Sequence, residues 1–347
     1  MFNLENLVRE NIKRLTPYSS ARKEFSGAAQ IFLDANENSF GSPLAVDYNR
    51  YPDPLQSEIK AVVAEINDVE PSEIFVGNGS DEAIDLLFRI FCEPKKDQVL
   101  ICPPTYGMYQ VSAEINDVAV VKVNLTRDFQ LDSAAIEKAF DAHPKLLFVC
   151  SPNNPTGNAF PREKIKKLAE TFDGIIVVDE AYIHFSREKS MIGEINNFKN
   201  LVVLQTFSKA WGLAGLRVGL AFANSETIAL FNRVKPPYNI SEIAQKATIE
   251  ALANRETVAK TITKIVAERE LLIENLAKIS CVEKTYPTAA NFVLAKVSDA
   301  ERIYRHLLDA QIVVRNRNNV ELCAGCLRIT IGTPAENRSL LEALRNL

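Results

Sequence analysis

Basic charge is short in this chain, with 40 Lys and Arg against 44 Asp and Glu for a net charge of −4. A dedicated nucleic-acid or anionic-membrane binder needs a basic excess or stripe, so both classes are disfavoured. Cysteine is sparse as well: six in 347 residues, at Cys92, Cys102, Cys150, Cys281, Cys323 and Cys326. That number is too small for a disulfide scaffold and suits a reducing compartment. Only three histidines occur, His143, His184 and His306, and they form no cluster in the sequence. Cys323-Ala324-Gly325-Cys326 has metal-type spacing, but no second ligand pair follows at a zinc interval. Both thiols therefore read as structural, and no metal is expected. No apolar run approaches the roughly 18 residues of a membrane-crossing helix. The start, Met1-Phe2-Asn3-Leu4-Glu5, carries no apolar stretch of signal-peptide length, so a cytoplasmic address is expected. No repeat of 20–50 residues is visible, which excludes solenoids and propellers.

What the chain does have is ordinary globular composition, 47% hydrophobic and 24% charged. Its length admits two or three domains, or one large α/β unit with a smaller companion. Asp81–Phe91 places Ile84, Leu87, Phe88 and Phe91 on one helical face, and the short apolar runs Ile74–Val76 and Val99–Cys102 flank it as strands. The alternation continues through Leu146–Cys150, a helix near Arg162–Phe172, then Ile175–Val178, Leu201–Gln205 and Val218–Ala223. These runs are almost continuously apolar, as strands buried on both faces should be. The expected fold class is α/β: a large, mostly parallel mixed sheet with helices on both faces. Beyond Pro236-Pro237 the texture changes. Ser241–Ile279 reads as helix broken near Asn254-Arg255, followed by strands at Asn291–Val297, Ile312–Val314 and Leu327–Ile331, which predicts a smaller α+β domain. The expected division is an arm at 1–39 joining the small domain, a large domain at 40–240 and the small domain at 241–347.

Three polar motifs follow predicted strands, where open parallel sheets bind ligands. They are Ser151-Pro152-Asn153-Asn154-Pro155-Thr156-Gly157, Asp179-Glu180-Ala181-Tyr182, and Thr206-Phe207-Ser208-Lys209 with Arg217 eight residues after the lysine. Singly, each is also what a turn, a helix cap or a surface charge looks like. Jointly they bring an amide, a carboxylate, a phenol, a lysine and an arginine to one sheet edge, the set needed to hold pyridoxal 5'-phosphate. A rival reading takes Gly77-Asn78-Gly79-Ser80-Asp81-Glu82 as a degenerate dinucleotide fingerprint, with Asp97 as its ribose partner. That dehydrogenase would lack the third glycine and leave Lys209, Asp179 and Asn154 without a task.

These motifs resemble the fold-type I aminotransferases. Leu15-Thr16-Pro17-Tyr18, Asn36-Glu37-Asn38, Arg50-Tyr51-Pro52, Pro103–Tyr109 and Leu327-Arg328-Ile329-Thr330 extend the resemblance to the histidinol-phosphate aminotransferase family, in order from residue 15 to 333. The resemblance implies a homodimeric transaminase that uses pyridoxal phosphate, glutamate and imidazole-acetol phosphate, yielding 2-oxoglutarate and L-histidinol phosphate in histidine biosynthesis. A broad aromatic or acidic amino-acid aminotransferase would share every cofactor residue. A threonine-phosphate decarboxylase would share the phosphate recognition too. A non-catalytic pyridoxal-phosphate sensor would be expected to carry an added DNA-binding module, for which the early start of the match leaves no room.

The chemistry explains the residue types. Lys209 is the amine that would condense with the cofactor aldehyde and then move a proton between Cα and C4′. Asp179 would keep the pyridine nitrogen protonated. By resemblance, Asn154 and Tyr182 hold the ring's 3-oxygen and Tyr106 stacks on the ring. Gly79, Ser80 and Asp81 open a helix whose free N–H groups suit a phosphate, with Ser80 as the expected N-cap. Thr206, Ser208 and Arg217 join that cradle, and Tyr51 completes it across a dimer interface by resemblance alone. Aminotransferases need a bidentate fork for a substrate anion, the role Arg328 has by resemblance. Arg315 then points to a second anion, and Tyr18 and Asn36 belong with these substrate residues. Arg317 and His184 receive no role.

Overall fold

A computed structural model describes residues 2–18 and 31–347. Its larger sheet contains β1 (Ile74–Asn78), β2 (Gln98–Ile101), β3 (Ala119–Lys122), β4 (Leu146–Cys150), β5 (Ile175–Asp179), β6 (Leu201–Thr206) and β7 (Val218–Phe222), in the order β1-β7-β6-β5-β4-β2-β3. The β2–β3, β2–β4, β4–β5 and β5–β6 pairings are parallel, whereas β7 runs antiparallel to both β1 and β6. The consequence is geometric: β1 to β6 all end at one edge of the sheet, and β7 begins there. β4 to β7 are buried along their whole length, which is why they read as unbroken apolar runs. Phe75, Phe88, Phe148 and Phe231 pack one face of this sheet. Phe129, Phe160, Phe172 and Phe207 pack the other.

The smaller sheet is wholly antiparallel, β8 (Val282–Thr285), β9 (Phe292–Val297), β10 (Arg315–Asn316) and β11 (Cys326–Thr330), in the order β10-β11-β9-β8. Leu272 and Leu276 of the helix Arg255–Leu276, Ile303 and Leu307 of Ala300–Asp309, and Leu340 and Leu344 of Pro334–Arg345 close its core. Asn254 separates Arg255–Leu276 from the helix Glu242–Ala253, at the predicted break.

Several local expectations need correction. β3 and β8 were not foreseen, because edge strands are exposed on one side and carry no continuous apolar run. Ile312–Val314 is no strand. Gln311, in the left-handed region at φ 60°, ends the preceding helix, and Ile312 N–H closes it on Leu307 O at 2.8 Å. Arg315 therefore lies within the two-residue β10 rather than after a strand. The extended arm holds two one-turn helices, Leu4–Leu7 and Glu10–Lys13. Val8 and Ile12 join the core of the large sheet, and Arg9 pairs with Glu93 at 3.0 Å. Residues 19–30 of that arm lie outside the described residues. Among the described residues no helix is long and apolar enough to cross a membrane.

Candidate active site

At the edge where β1 to β6 end lies a cavity of about 690 Å³, with β10 and β11 of the small sheet on its far wall. Its floor is made by chain segments leaving the large sheet. Gly79 and Ser80 follow β1, Tyr106 follows β2, Asn154 follows β4, Asp179 ends β5, and Thr206 ends β6 with Ser208 and Lys209 just beyond. Arg217 arrives at the same edge because β7 is reversed.

Asp179 is 3% exposed and accepts two hydrogen bonds. Tyr109 donates its hydroxyl to Oδ2 at 2.8 Å, and Ala181 N–H donates to Oδ1 at 3.1 Å. Burial nevertheless pushes the Asp179 carboxyl up to about 6, against the pull of those two donors. Burial lowers the Lys209 ammonium, and the Arg328 guanidinium pushes the same way. Both effects favour the neutral amine, the nucleophilic form. Lys209 Nζ lies 5.7 Å from the centre of the Tyr182 ring. Asn154 joins the two halves of the site, donating Nδ2 to Tyr182 Oη at 3.3 Å and accepting from Arg328 Nη1 through Oδ1.

The helix Ser80–Phe91 begins with Gly79 as its N-cap at φ 75°, and Ser80 is its first helical residue. The expected Ser80 cap is therefore replaced by a glycine, for a steric reason. A Cβ on Gly79 would lie 2.6 Å from Arg217 Nη2, and one on Gly219 would lie 2.1 Å from Ser80 N. The two glycines let the helix start cross β7 closely while the Arg217 guanidinium packs against it. Asp81 Oδ2 pairs with Arg217 Nη2 at 3.2 Å, its Oδ1 accepts from Tyr106 Oη at 3.1 Å, and Ser208 Oγ lies 3.4 Å from Arg217 Nη1. The Asp81 carboxylate thus orients Tyr106 and Arg217. Glu82 accepts from Asn78 N–H, and Asp97 accepts from Glu93 N–H at 2.8 Å. Glu82 also accepts from Asn239 Nδ2 at 3.0 Å, so both acidic side chains of the dinucleotide reading are committed to contacts within the protein.

On the far wall Arg315 and Arg328 stand directly opposite each other across β10 and β11. Arg328 Nε is buried without a hydrogen-bond partner. Three expected residues are not among those lining the cavity of this single chain. Tyr18 is 74% exposed. Asn36 sits in the left-handed region at φ 53°. Tyr51 is 50% exposed and stacks on Tyr238 with centroids 4.4 Å apart. Glu37 ties two motifs together here, accepting from Arg50 Nη1 and Tyr51 N–H, each at 2.7 Å. His184 packs edge-on to Trp211, and the Cys323 and Cys326 thiols are buried in the core.

Sequence reading missed Tyr109. It is wholly buried, stacked on Phe148 at 4.6 Å and edge-on to Tyr106 at 5.6 Å. A buried tyrosine needs a partner for its hydroxyl, and a strand-end carboxylate needs a donor. Their pairing was the available signal.

The donor set fits pyridoxal phosphate. A helix N-terminus flanked by a serine hydroxyl and an arginine suits its phosphate. A buried carboxylate with a titration near neutrality suits its ring nitrogen, and a desolvated lysine suits its aldehyde.

The aminotransferase class I and II family pattern matches residues 35–344. The histidinol-phosphate aminotransferase of Cytophaga hutchinsonii is 49% identical over 344 residues, covering 99% of each chain. That of Bacteroides thetaiotaomicron is 49% identical over 346 residues, again covering 99% of each. The structure of histidinol-phosphate aminotransferase from Sinorhizobium meliloti in complex with pyridoxal-5'-phosphate superposes with a TM-score of 0.81 at 26% identity, over 90% of this chain and 89% of that one. A sheet edge that gathers Lys209, Asp179 and Asn154 over such a phosphate cradle, in a chain alike from end to end, belongs to the aminotransferase class I and II family, as a pyridoxal-phosphate-dependent transaminase of fold-type I.

Proposed function

We propose that this cavity transfers an amino group between glutamate and imidazole-acetol phosphate, giving 2-oxoglutarate and L-histidinol phosphate, as a step of histidine biosynthesis. The observation that carries the substrate choice is the facing pair Arg315 and Arg328, two guanidinium groups on one wall with no carboxylate bonded to either among the described residues. Each substrate must present an anion to them. Glutamate brings a second carboxylate, and histidinol phosphate brings its phosphate.

When bound, pyridoxal phosphate supplies an aldehyde carbon and a pyridine ring able to withdraw electrons. Lys209, with its neutral amine favoured by burial, would hold the cofactor through its aldehyde and would take and return the proton at the substrate Cα. Asp179, oriented by Tyr109 and Ala181, holds a proton at the ring nitrogen. Asn154 and Tyr182 hydrogen-bond the ring oxygen, and burial keeps the Tyr182 phenol protonated. Tyr106 covers the ring, while the N–H groups from Gly79 to Asp81 bind the phosphate with Thr206, Ser208 and Arg217. Tyr51 of the partner subunit completes that cradle in a homodimer, which accounts for an exposed tyrosine held so firmly by Glu37 and Tyr238. Tyr18 and Asn36 contribute to substrate binding. The cofactor domain spans 40–240, the substrate wall belongs to 241–347, and the enzyme works in the cytoplasm.

Purified protein assayed with 2-oxoglutarate and, in turn, histidinol phosphate, phenylalanine, aspartate and threonine phosphate tests the proposal. The highest kcat/KM is expected for histidinol phosphate. Preference for phenylalanine or aspartate overturns it in favour of a broad aminotransferase, and carbon dioxide release from threonine phosphate overturns it in favour of a decarboxylase. Mixing Tyr51→Ala and Lys209→Ala chains tests the shared site. Activity should return in mixed dimers, and no recovery after demonstrated subunit exchange would remove Tyr51 from the partner's site.

A further inference from the structure

Arg317 lines the same cavity and has no part in the roles above. Its N–H bonds Cys326 O at 2.9 Å, which carries the β10–β11 pairing one step further. Side chains alternate along such a segment, so Arg315 and Arg317 share a face with Arg328, the residue opposite Arg315. Asn316 between them turns the other way and donates to Glu301 Oε2 at 3.0 Å. Three guanidinium groups thus crowd one face of the β10–β11 pair at the sheet edge, where like charges placed opposite each other destabilise.

Nothing acidic compensates them among the described residues. The one side-chain hydrogen bond in the trio runs from Arg328 to the neutral amide of Asn154. Nε of Arg317 and Nε of Arg328 are both buried without partners. The acidic groups of the cavity are already engaged, Asp81 with Arg217 and Tyr106, and Asp179 with Tyr109 and Ala181. Burial and the neighbouring guanidinium ions weigh against the charged forms of Arg317 and Arg328. A carboxylate offers two oxygens and one charge, which a pair of arginines can satisfy. A phosphate monoester offers three terminal oxygens and, above its second pKa of about 6, two charges.

We propose that Arg317 is a specificity-determining residue that recognises the third oxygen and second charge of a phosphate monoester, so that the wall favours a phosphorylated amine over a dicarboxylate. This rests on the reading of the cavity as a transaminase site for such an ester.

The test compares wild-type holoenzyme with Arg317→Gln and Arg317→Lys at low salt, with the cofactor filling its own cradle. In Arg317→Gln, KM for histidinol phosphate should rise about tenfold or more, with kcat and the glutamate KM each within about threefold. Arg317→Lys, which keeps the charge but loses Nε and the planar fork, should fall between. In the wild type the KM for histidinol phosphate should drop as pH rises through about 6, and this drop should flatten in Arg317→Gln. A second readout needs no turnover: inorganic phosphate should raise the melting temperature of the wild type more than that of Arg317→Gln. Without phosphate, Arg317→Gln should melt no lower than the wild type, since a like-charge repulsion has been removed. Equal changes in both KM values, no change in either, or equal stabilisation of both proteins by phosphate would overturn the proposal. If wild-type enzyme shows no preference for histidinol phosphate over histidinol, the proposed function fails, and the inorganic phosphate arm still decides the role of Arg317.

Discussion

On the floor of the cavity, the buried carboxylate of Asp179 is met by a hydroxyl and a backbone N–H at 2.8 and 3.1 Å. On the opposite wall, Arg315, Arg317 and Arg328 face one another with two buried Nε atoms unpartnered. On the floor both carboxylates have their hydrogen-bond partners within the protein, as suits a cofactor that stays bound through every turnover. The wall leaves charge unmatched, which suits an anion that must come and go. The secondary structure separates the two tasks accordingly. The floor grows from fully buried strands of the large sheet, and the wall from the two-residue edge strand β10, the residue after it and the neighbouring β11.

The largest test of this contrast removes the lysine. Lys209→Ala should reduce transamination on the order of 10⁴-fold or more, since nucleophile and proton carrier go together. Borohydride reduction of wild-type holoenzyme followed by peptide mapping should attach the cofactor to Lys209. A label on any other lysine would displace the floor as described.

Asp179→Asn should lower kcat by roughly 10²- to 10³-fold, because an amide cannot hold the ring nitrogen protonated. Its effect on the cofactor-free protein has the opposite sign. The Asp179 carboxyl titrates near 6 in the fold and near 4 in an unfolded chain, so the native state binds the extra proton between those values. Stability therefore falls as pH rises from 4 to 6, and the penalty is fully present above 6. Thermal melts of cofactor-free protein should show Asp179→Asn more stable than wild type above pH 6, with the difference gone below pH 4. Turnover by Asp179→Asn within about threefold of wild type would reduce the carboxylate to a turn former.

Arg328→Ala should cost about 1.5–3 kcal/mol, roughly tenfold to 150-fold in kcat/KM, for glutamate, histidinol phosphate and phenylalanine alike. An effect confined to one of them would separate Arg328 from the common anion site. The smallest change comes from Tyr109→Phe, which leaves the floor in place and removes one donor. The carboxyl should then titrate higher, and kcat should fall by roughly two- to tenfold with its acid limb moved to higher pH. An unchanged pH profile would show that Tyr109 only fills space.

Strands buried on both faces were legible because burial leaves an unbroken apolar run, as in Leu146–Cys150 and Leu201–Gln205. The edge strands β3 and β8 were not, since their exposed sides admit lysine and glutamate. Lys209, Asp179 and Asn154 could be found because each follows such a run, and the strand pattern converts that position into a shared sheet edge. Tyr109 was hidden within a helix, where only its partner 70 residues away gives it meaning. The helix start at Gly79 depends on how closely β7 passes, a tertiary contact that no local pattern encodes. Arg315 was read as the ligand of a second anion, whereas Arg317 had no role until the β10–β11 pairing placed it on the same face as Arg328. Tyr18, Asn36 and Tyr51 rested on resemblance alone, and their place in the site requires surfaces outside the cavity of one chain.

The contrast between floor and wall is tested most directly by a single half-reaction. Wild-type and Arg315→Ala holoenzyme are mixed with histidinol phosphate or with phenylalanine, without any keto acid, and the change in cofactor absorbance is followed in time. Arg315→Ala should slow amine uptake from histidinol phosphate by roughly tenfold to 150-fold while leaving phenylalanine within about threefold, because only the wall has changed. Equal slowing of both substrates, or of neither, would contradict the division of labour between the floor and the wall.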